Sequence, residues 1–444
     1  MLHTFRHGVH PDYMKAPEAG ITAIKAPAEV ILPCSQHIGA PAEPVVKVGD
    51  RVKMGTLVAD SAAPVSAPVH SPVSGTVKAV EKRPHPLGGA VLSVVIENDY
   101  RDETDYMPPL TEEEMHDPEA VVRRIRDAGI VGLGGAMFPT AFKIRSGLGK
   151  VDTLIINGAE CEPYLNGDHL TMLNYPEELL KGAELARIAC RTEKAFYGIE
   201  VNKKDAIALL ESKNPGKYGV EIVPEAVKYP QGGEKMQIKA VTGREVPPGG
   251  LPASVGCTVI STRTCYAIYE ACCLGKPLIE RIVTVAGSAM AGPVNALTRL
   301  GTPLGFIAEQ CGGFVREPKK IVLGGPMMGI CASTLEAPNI KGTAGVLFFT
   351  EDEEKPTAQS QCIHCGRCIS VCPMNLEPMF MYMFYRKKDL EGLEKYHVTD
   401  CFECGSCSFS CPAALPLTEA FHLSKGLLKQ MQSEAKSASG KAGS

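Results

Sequence analysis

Cys362-Ile363-His364-Cys365-Gly366-Arg367-Cys368-Ile369-Ser370-Val371-Cys372-Pro373 and Cys401-Phe402-Glu403-Cys404-Gly405-Ser406-Cys407-Ser408-Phe409-Ser410-Cys411-Pro412 hold eight of the chain's 17 cysteines. Both stretches read C-x2-C-x2-C-x3-C-P. Two-residue spacers let three thiolates converge on one face of an iron–sulfur cubane from a single tight loop, with the fourth one helical step further on. Four-cysteine zinc sites also use C-x2-C pairs. One run would leave that choice open, but two identical runs, each closed by proline, select iron–sulfur chemistry. Such a chain carries electrons.

The doubled run resembles the two-cluster bacterial ferredoxins, in which the fourth cysteine of each run ligates the other cluster. That resemblance assigns Cys362, Cys365, Cys368 and Cys411 to one [4Fe–4S] cluster, and Cys401, Cys404, Cys407 and Cys372 to the second. Between the runs, Pro378 to Tyr396 is dense in Met, Phe, Tyr and Leu and reads as one helix. Residues 356–425 are therefore expected to form an α-helical two-cluster ferredoxin domain. Glu351 to Ser360 reads as a polar linker, and 433–444, rich in Ser, Ala, Gly and Lys, as a disordered tail.

A length of 444 residues suits about three domains, and 44% hydrophobic content supports buried cores. The net charge of −4, with no basic block, excludes nucleic acid as an expected partner. No run of about 18 apolar residues is present, so no membrane span of the chain's own is expected. His3, Arg6 and His7 are not followed by an apolar stretch, so no secretory signal is expected, and the many cysteines point to a reducing compartment. Of the nine other cysteines, Cys190, Cys272 and Cys273 read as small core residues, and Cys34 as an exposed thiol.

Residues 1–112 are rich in Pro, Gly and Val. Val45-Val46-Lys47-Val48-Gly49-Asp50-Arg51-Val52 and Val69-His70-Ser71-Pro72-Val73-Ser74-Gly75-Thr76-Val77 predict short strands joined by tight turns. The pattern is similar to biotinyl and lipoyl carrier domains, yet no lysine stands at a suitable hairpin tip, and Lys53 lies on the wrong turn. A structural β barrel-sandwich hybrid is expected. Residues 113–275 change character: Ala120–Arg126 reads as an amphipathic helix with its arginines on the polar face, Val151–Asn157 as a strand, and the alternation continues as an α/β domain. Residues 276–350 return to short strands as a small α+β module.

Gly132-Leu133-Gly134-Gly135 could bring backbone N–H groups close to a phosphate as an anion nest, with Lys143 adding a point charge. Its spacing is not the dinucleotide G-x-G-x-x-G, and a plain turn is the alternative. Asn157-Gly158-Ala159-Glu160-Cys161-Glu162-Pro163 follows the apolar strand directly, with Asp168 beyond it. Ligands of α/β sheets bind at the carboxyl ends of strands; a solvated loop is the alternative.

Gly132, Gly134, Gly135, Phe138, Pro139, Thr140 and Lys143, then Asn157, Glu160, Glu162, Pro163 and Asp168, and Tyr229 with Gly232-Gly233-Glu234, resemble the FMN- and NADH-binding subunit of respiratory complex I. The resemblance implies FMN phosphate on the glycine loop, held by Lys143, with NADH over the flavin and Glu160 and Glu162 orienting the rings. The chain departs from that family at Leu133, Ala159 and Ser261, where Arg, Asp and Asn are usual, and in having two cluster runs rather than one.

Ser35–Pro41, Val48-Gly49-Asp50, Ser66–His70, Gly158–Tyr164 and Gly275-Lys276-Pro277-Leu278 resemble the RnfC family of the Rnf electron-transport complex. So does the order of barrel, flavin domain, small β-grasp-like module (276–350, soluble-ligand-binding in type) and two clusters. That family implies a peripheral subunit on the cytoplasmic face of a bacterial membrane. It would exchange electrons between NAD(H), FMN and two [4Fe–4S] clusters, beside integral membrane subunits and a ferredoxin-like subunit, in an ion-translocating ferredoxin:NAD oxidoreductase. The cofactors do the redox chemistry, so no catalytic side chain is expected. The rival readings are a soluble flavin/iron–sulfur cobalamin reductase and a non-catalytic electron relay.

Overall fold

Valines alternating with polar residues build the first module. Gly75–Pro84 and Ala90–Asn98 pair antiparallel, and Glu29–Pro33 and Arg51–Val52 flank them in a four-stranded sheet. Glu43–Pro44, Leu57–Asp60 and Val69–His70 form a second, three-stranded sheet. Val30, Leu32, Val58, Val73, Val77, Val94 and Ile96 are buried in the shared core. In this computed structural model, residues 2–16, 20–351 and 358–441 are described. Most of the expected linker Glu351–Ser360 lies outside them.

One expectation for this module is corrected. Cys34 is buried, its N–H bonded to the Leu92 carbonyl at 2.9 Å, because it continues the inward strand Glu29–Pro33. The barrel's own strands begin at Glu29. Ahead of them, residues 3–9 run along the edge of the α/β sheet, and Ile21–Ala23 adds a parallel strand to the third module beside Val294–Arg299. Open sheet edges offer unpaired N–H and C=O groups, and this leading segment covers two of them.

The α/β domain is a four-stranded parallel sheet in the order Glu221–Glu225, Lys194–Glu200, Thr153–Gly158, Cys257–Ser261. Its central strand carries Leu154-Ile155-Ile156, buried on both faces as a parallel strand requires. Helices Pro118–Asp127, Pro176–Cys190 and Thr262–Cys273 share the core of one face, and Glu234–Thr242 packs on the other. Asp117 caps the first of these, accepting from the Glu119 N–H.

In the third module Glu280–Ala286 and Val294–Arg299 form a hairpin, followed by helix Leu304–Gln310. Gly345–Phe349 then returns parallel to Glu280–Ala286 and antiparallel to Lys320–Leu323, within a six-stranded sheet.

The cluster region is helical: Arg367–Ser370, Pro378–Lys387, Leu390–Lys395, Ser406–Phe409 and Leu417–Lys441. The single helix expected over Pro378–Tyr396 is two. Lys388 turns left-handed at φ 55°, and Asp389 caps the second helix by accepting from the Gly392 N–H at 2.9 Å. Gly392 then tucks against Phe384, whose ring lies 2.2 Å from where a Cβ would stand. The expected tail is, as far as Lys441, the end of the last helix, because its backbone continues a helix already nucleated. Residues 442–444 lie outside the described residues.

Candidate redox site

The glycine loop leaves strand-like Val131, which bridges to Pro139, and re-enters helix Thr140–Gly147. Gly132 N–H donates to the Phe138 carbonyl at 2.8 Å and Met137 N–H to the Gly132 carbonyl at 3.2 Å, closing the loop at its neck. Leu133 is buried, its N–H bonded to Thr264 Oγ1 at 3.0 Å, and its carbonyl accepts from buried Arg281. Gly134, Gly135 and Ala136 are exposed at the tip, and their N–H groups have no partner among the described residues. Gly135 has φ +116° with open space where a side chain would project. That is the geometry of an anion nest.

Around this tip stand the carboxyl ends of two strands. Asn157 and Ser261 are register partners there. Asn157 donates from Nδ2 to the Gly232 carbonyl at 2.7 Å and accepts from the Ala159 N–H. Lys143 donates to the Val259 carbonyl at 2.7 Å and pairs with Glu234. Phe138 packs edge-on against Phe142, and buried Thr140 has a hydroxyl without a partner among the described residues. The structure thus gathers Gly132, Gly134, Gly135, Phe138, Thr140, Lys143, Asn157, Gly232, Gly233 and Glu234 at one end of the sheet.

The acidic residues are placed differently from a simple ligand-facing set. Both oxygens of buried Glu160 face the start of helix Gly167–Asn174, accepting from Asp168 N–H at 2.8 Å and His169 N–H at 3.2 Å. Burial alone would raise this carboxyl, but Lys15, Arg263 and Lys203 outweigh it and hold it below the ordinary value. Asp168 is buried against Arg263 Nε at 2.7 Å, and desolvation raises it. Glu162 accepts from the Met327 and Met328 N–H groups at 3.0 and 2.9 Å, tying the third module to the site. Burial pushes Glu162 up to about 7.

From Glu162 the contacts lead to the second cysteine run. Tyr229, fully buried, sits beside Glu162 and donates its hydroxyl to the Cys404 carbonyl at 2.6 Å. Val9, Cys161, Tyr229 and Cys404 share a small core with Met327, Val371 and Phe402. A Cβ on Gly233 would lie 3.4 Å from the Phe402 ring.

The eight cysteines line two cavities. One is bounded by Cys372, Cys401, Cys404 and Cys407, with Phe402, Met381 and Phe421. The other is bounded by Cys362, Cys365, Cys368 and Cys411, with Ile363, Met379 and Tyr382. Among the described residues no three His, Cys, Asp or Glu side chains converge closely enough to hold a single ion. Four thiols around a cavity suit a cubane better than a tetrahedral zinc, whose sulfurs crowd to about 2.3 Å from one point. Burial pushes Cys401 up to about 12 and raises Cys368, Cys372 and Cys404. These thiols favour the neutral form until a metal supplies compensating charge. The first cavity abuts the flavin-type domain; the second opens outward, with Cys362 and Cys365 exposed.

Sequence reading missed several residues that shape the site. Lys15, Arg263, Arg281, Thr264 and Met327 act across long chain separations, and none lies in a local motif. Ile38 donates its N–H to the Met137 carbonyl at 3.2 Å, so the barrel buttresses the glycine loop. That contact lies within Ser35–Pro41, a stretch to which the sequence attached no physical role.

Comparison with known proteins adds three family matches. Residues 3–101 match the RnfC barrel sandwich hybrid domain, 125–270 the Nuo51 FMN-binding domain, and 361–415 a 4Fe-4S dicluster domain. The chain is 44% identical to the RnfC-type component of the proton-translocating ferredoxin:NAD(+) oxidoreductase complex of Clostridium ljungdahlii, over 90% of this chain and 88% of that one. It is 43% identical to the Na(+)-translocating counterpart of Acetobacterium woodii, over 89% and 90%. It is 40% identical to the corresponding component of the ion-translocating oxidoreductase complex of Rhodobacter capsulatus, over 97% and 84%. Among solved structures, an NAD+-reducing [NiFe]-hydrogenase in the H2-reduced state is similar at a TM-score of 0.48 and 22% identity, over 66% of this chain and 52% of that one.

Proposed function

The chain belongs to the RnfC family of ion-translocating ferredoxin:NAD(+) oxidoreductase complexes, and from that premise we propose that it is the subunit at which electrons pass between NAD(H), FMN and two [4Fe–4S] clusters. The observation that carries this reading is adjacency. The open nest at Gly134–Ala136 and the Cys372/Cys401/Cys404/Cys407 cavity lie on opposite sides of one buried wall, made by Glu162, Tyr229 and Gly233.

When bound, FMN exchanges hydride with NAD(H) and single electrons with the clusters. The residues present fit those groups. Unpaired N–H groups at Gly134, Gly135 and Ala136 suit the FMN phosphate, with Lys143 as the nearby cation once Glu234 shares it. Asn157 and Thr140 offer polar contacts beside the nest. Glu160 and Asp168 act behind the site, the first by fixing the start of helix Gly167–Asn174 and the second by holding Arg263. Glu162 joins the nucleotide side of the site to the 327–328 backbone. Cys372, Cys401, Cys404 and Cys407 would hold the inner cluster, and Cys362, Cys365, Cys368 and Cys411 the outer one. The exposure of Cys362 and Cys365 makes the outer cluster the exchange point with a partner protein. The hairpin–helix–strand module 276–350 is read as β-grasp-like, and its role is to wedge the 327–328 turn against both Glu162 and Gly405.

Among the described residues no helix is long and apolar enough to cross a membrane. Attachment to a complex is therefore read as contact with integral membrane and ferredoxin-like subunits, on the cytoplasmic face where NADH is available. The barrel-domain match at residues 3–101 weighs against the cobalamin-reductase alternative.

The test is metal and flavin content after anaerobic reconstitution. The chain should hold one FMN and about eight irons, two cubanes' worth. Cys372→Ser should lower the iron to about four and remove the cluster of Cys401, Cys404 and Cys407. Zinc in place of iron, or loss of the Cys362 cluster instead, would overturn the assignment.

A further inference from the structure

Residues 3–16 are not part of any module they precede. They run as a strap across the edge of the α/β sheet, the redox site and the cluster domain in turn. His3 N–H donates to the Pro224 carbonyl at 3.4 Å, and the Ala226 N–H donates back to the His3 carbonyl at 3.0 Å. Val9 exchanges both its backbone bonds with Tyr229, at 2.8 and 2.9 Å. Gly8 donates to the carbonyl of Val371, the neighbour of Cys372, at 3.1 Å. Gly8 has φ +87°, and a Cβ there would stand 2.5 Å from the Tyr229 carbonyl, so the crossing is tight. The Tyr13 carbonyl then accepts from the Tyr164 N–H at 2.8 Å.

The strap ends by placing Lys15 beneath the loop that joins strand Thr153–Gly158 to helix Gly167–Asn174. Its ammonium donates to the carbonyls of Glu160 at 2.8 Å and Glu162 at 2.7 Å, and to that of Leu165. Three donors meet three carbonyl oxygens, so the group is saturated. The loop would otherwise hold three inward carbonyls in a buried setting without partners, a costly arrangement. Glu160 and Glu200 supply negative charge nearby, and Lys203 opposes it.

We propose that Lys15 is a positioning residue for the flavin site: its ammonium, delivered by the N-terminal strap, sets the conformation of the Glu160–Leu165 loop on which FMN and nicotinamide are held. This rests on the reading of the site given above. Lys15 touches neither group and acts through the loop. Its positive charge also sits under the site, where it stabilises electron density arriving on the flavin.

The experiment uses the full chain carrying its clusters and compares Lys15→Met with the unaltered chain. FMN affinity is read by flavin fluorescence, and the flavin midpoint potential by anaerobic redox titration. Lys15→Met should bind FMN roughly 10- to 100-fold more weakly, as expected for losing charge-assisted hydrogen bonds, with a more negative flavin potential and unchanged iron content. Lys15→Arg, which keeps the cation, should recover most of the affinity. Equal FMN affinity and equal potential in Lys15→Met would overturn the assignment and leave the strap as packing. Should Lys15→Met fail to fold, Lys15→Gln, which keeps two donors and drops the charge, is read against the same two results. An unaltered chain that binds no FMN counts against the function proposed above rather than against Lys15.

Discussion

Glu225 and Glu200 are register partners at the ends of adjacent parallel strands, and both carboxyls are fully buried. Lys203 pairs with Glu200 at 2.7 Å, whereas Glu225 has only neutral Gln237, also at 2.7 Å. Gly198 leaves the space both groups need: a Cβ there would lie 2.3 Å from Glu225 Oε1 and 2.7 Å from Gln237 Oε1. Burial pushes Glu225 up to about 8, against an ordinary value of 4.5. The folded chain therefore keeps a proton that the unfolded chain gives up as pH rises past the ordinary value. The resulting stability is present at the acid end and is lost as pH climbs toward about 8. Thermal midpoints of the metal-free chain between about pH 5.5 and 8.5 should fall with rising pH, and Glu225→Gln should flatten that fall, by about 2–4 °C per kcal/mol of linkage removed. An identical slope in the variant would show Glu225 ionised in the fold. Nothing local marked Glu225 or Lys15, since their partners arrive from other strands or from 145 residues away. The cysteines were legible because cluster ligation is written in short spacings.

Among the elements, the helices Pro176–Cys190 and Thr262–Cys273 meet backbone to backbone at Gly182. A Cβ on Gly182 would stand 1.9 Å from the Cys265 carbonyl oxygen. Gly182→Ala gains about 1 kcal/mol of helix propensity but must push two buried helices apart, an overpacking cost of roughly 1–3 kcal/mol or more. Chemical denaturation should show a net loss of stability; a more stable Gly182→Ala chain would mean the helices slide apart freely. These helices and the central strand were readable from apolar periodicity, because each buries a face of its own. The break at Lys388 was not, although Asp389 is a sound cap residue. An apolar run that looks continuous hides a turn imposed by Gly392 packing under Phe384. The tail failed in the opposite sense: polar composition suggested disorder where a preceding helix supplies the nucleus.

At the scale of the molecule, the order of modules was visible in the sequence, but the joins between them were not. Lys341, fully buried in the third module, donates to carbonyls of Pro68 in the barrel and Gly129 in the α/β domain. Arg299 reaches Asp102 across the same junction. The N-terminal strap and the 327–328 turn close the other side, around the wall between the glycine loop and the inner cysteine cavity. The whole arrangement makes one claim: a nucleotide site and two cluster sites stand in series, with the Cys401–Cys407 cavity between the flavin and the outside. Anaerobic rapid mixing of the reconstituted chain with NADH tests it most directly. Flavin absorbance should bleach first, followed by paramagnetic signals of reduced clusters, and Cys372→Ser should keep the bleaching while delaying or abolishing reduction of the cluster held by Cys362, Cys365, Cys368 and Cys411. Cluster reduction without flavin bleaching, or an outer cluster reduced at full rate in Cys372→Ser, would contradict the series.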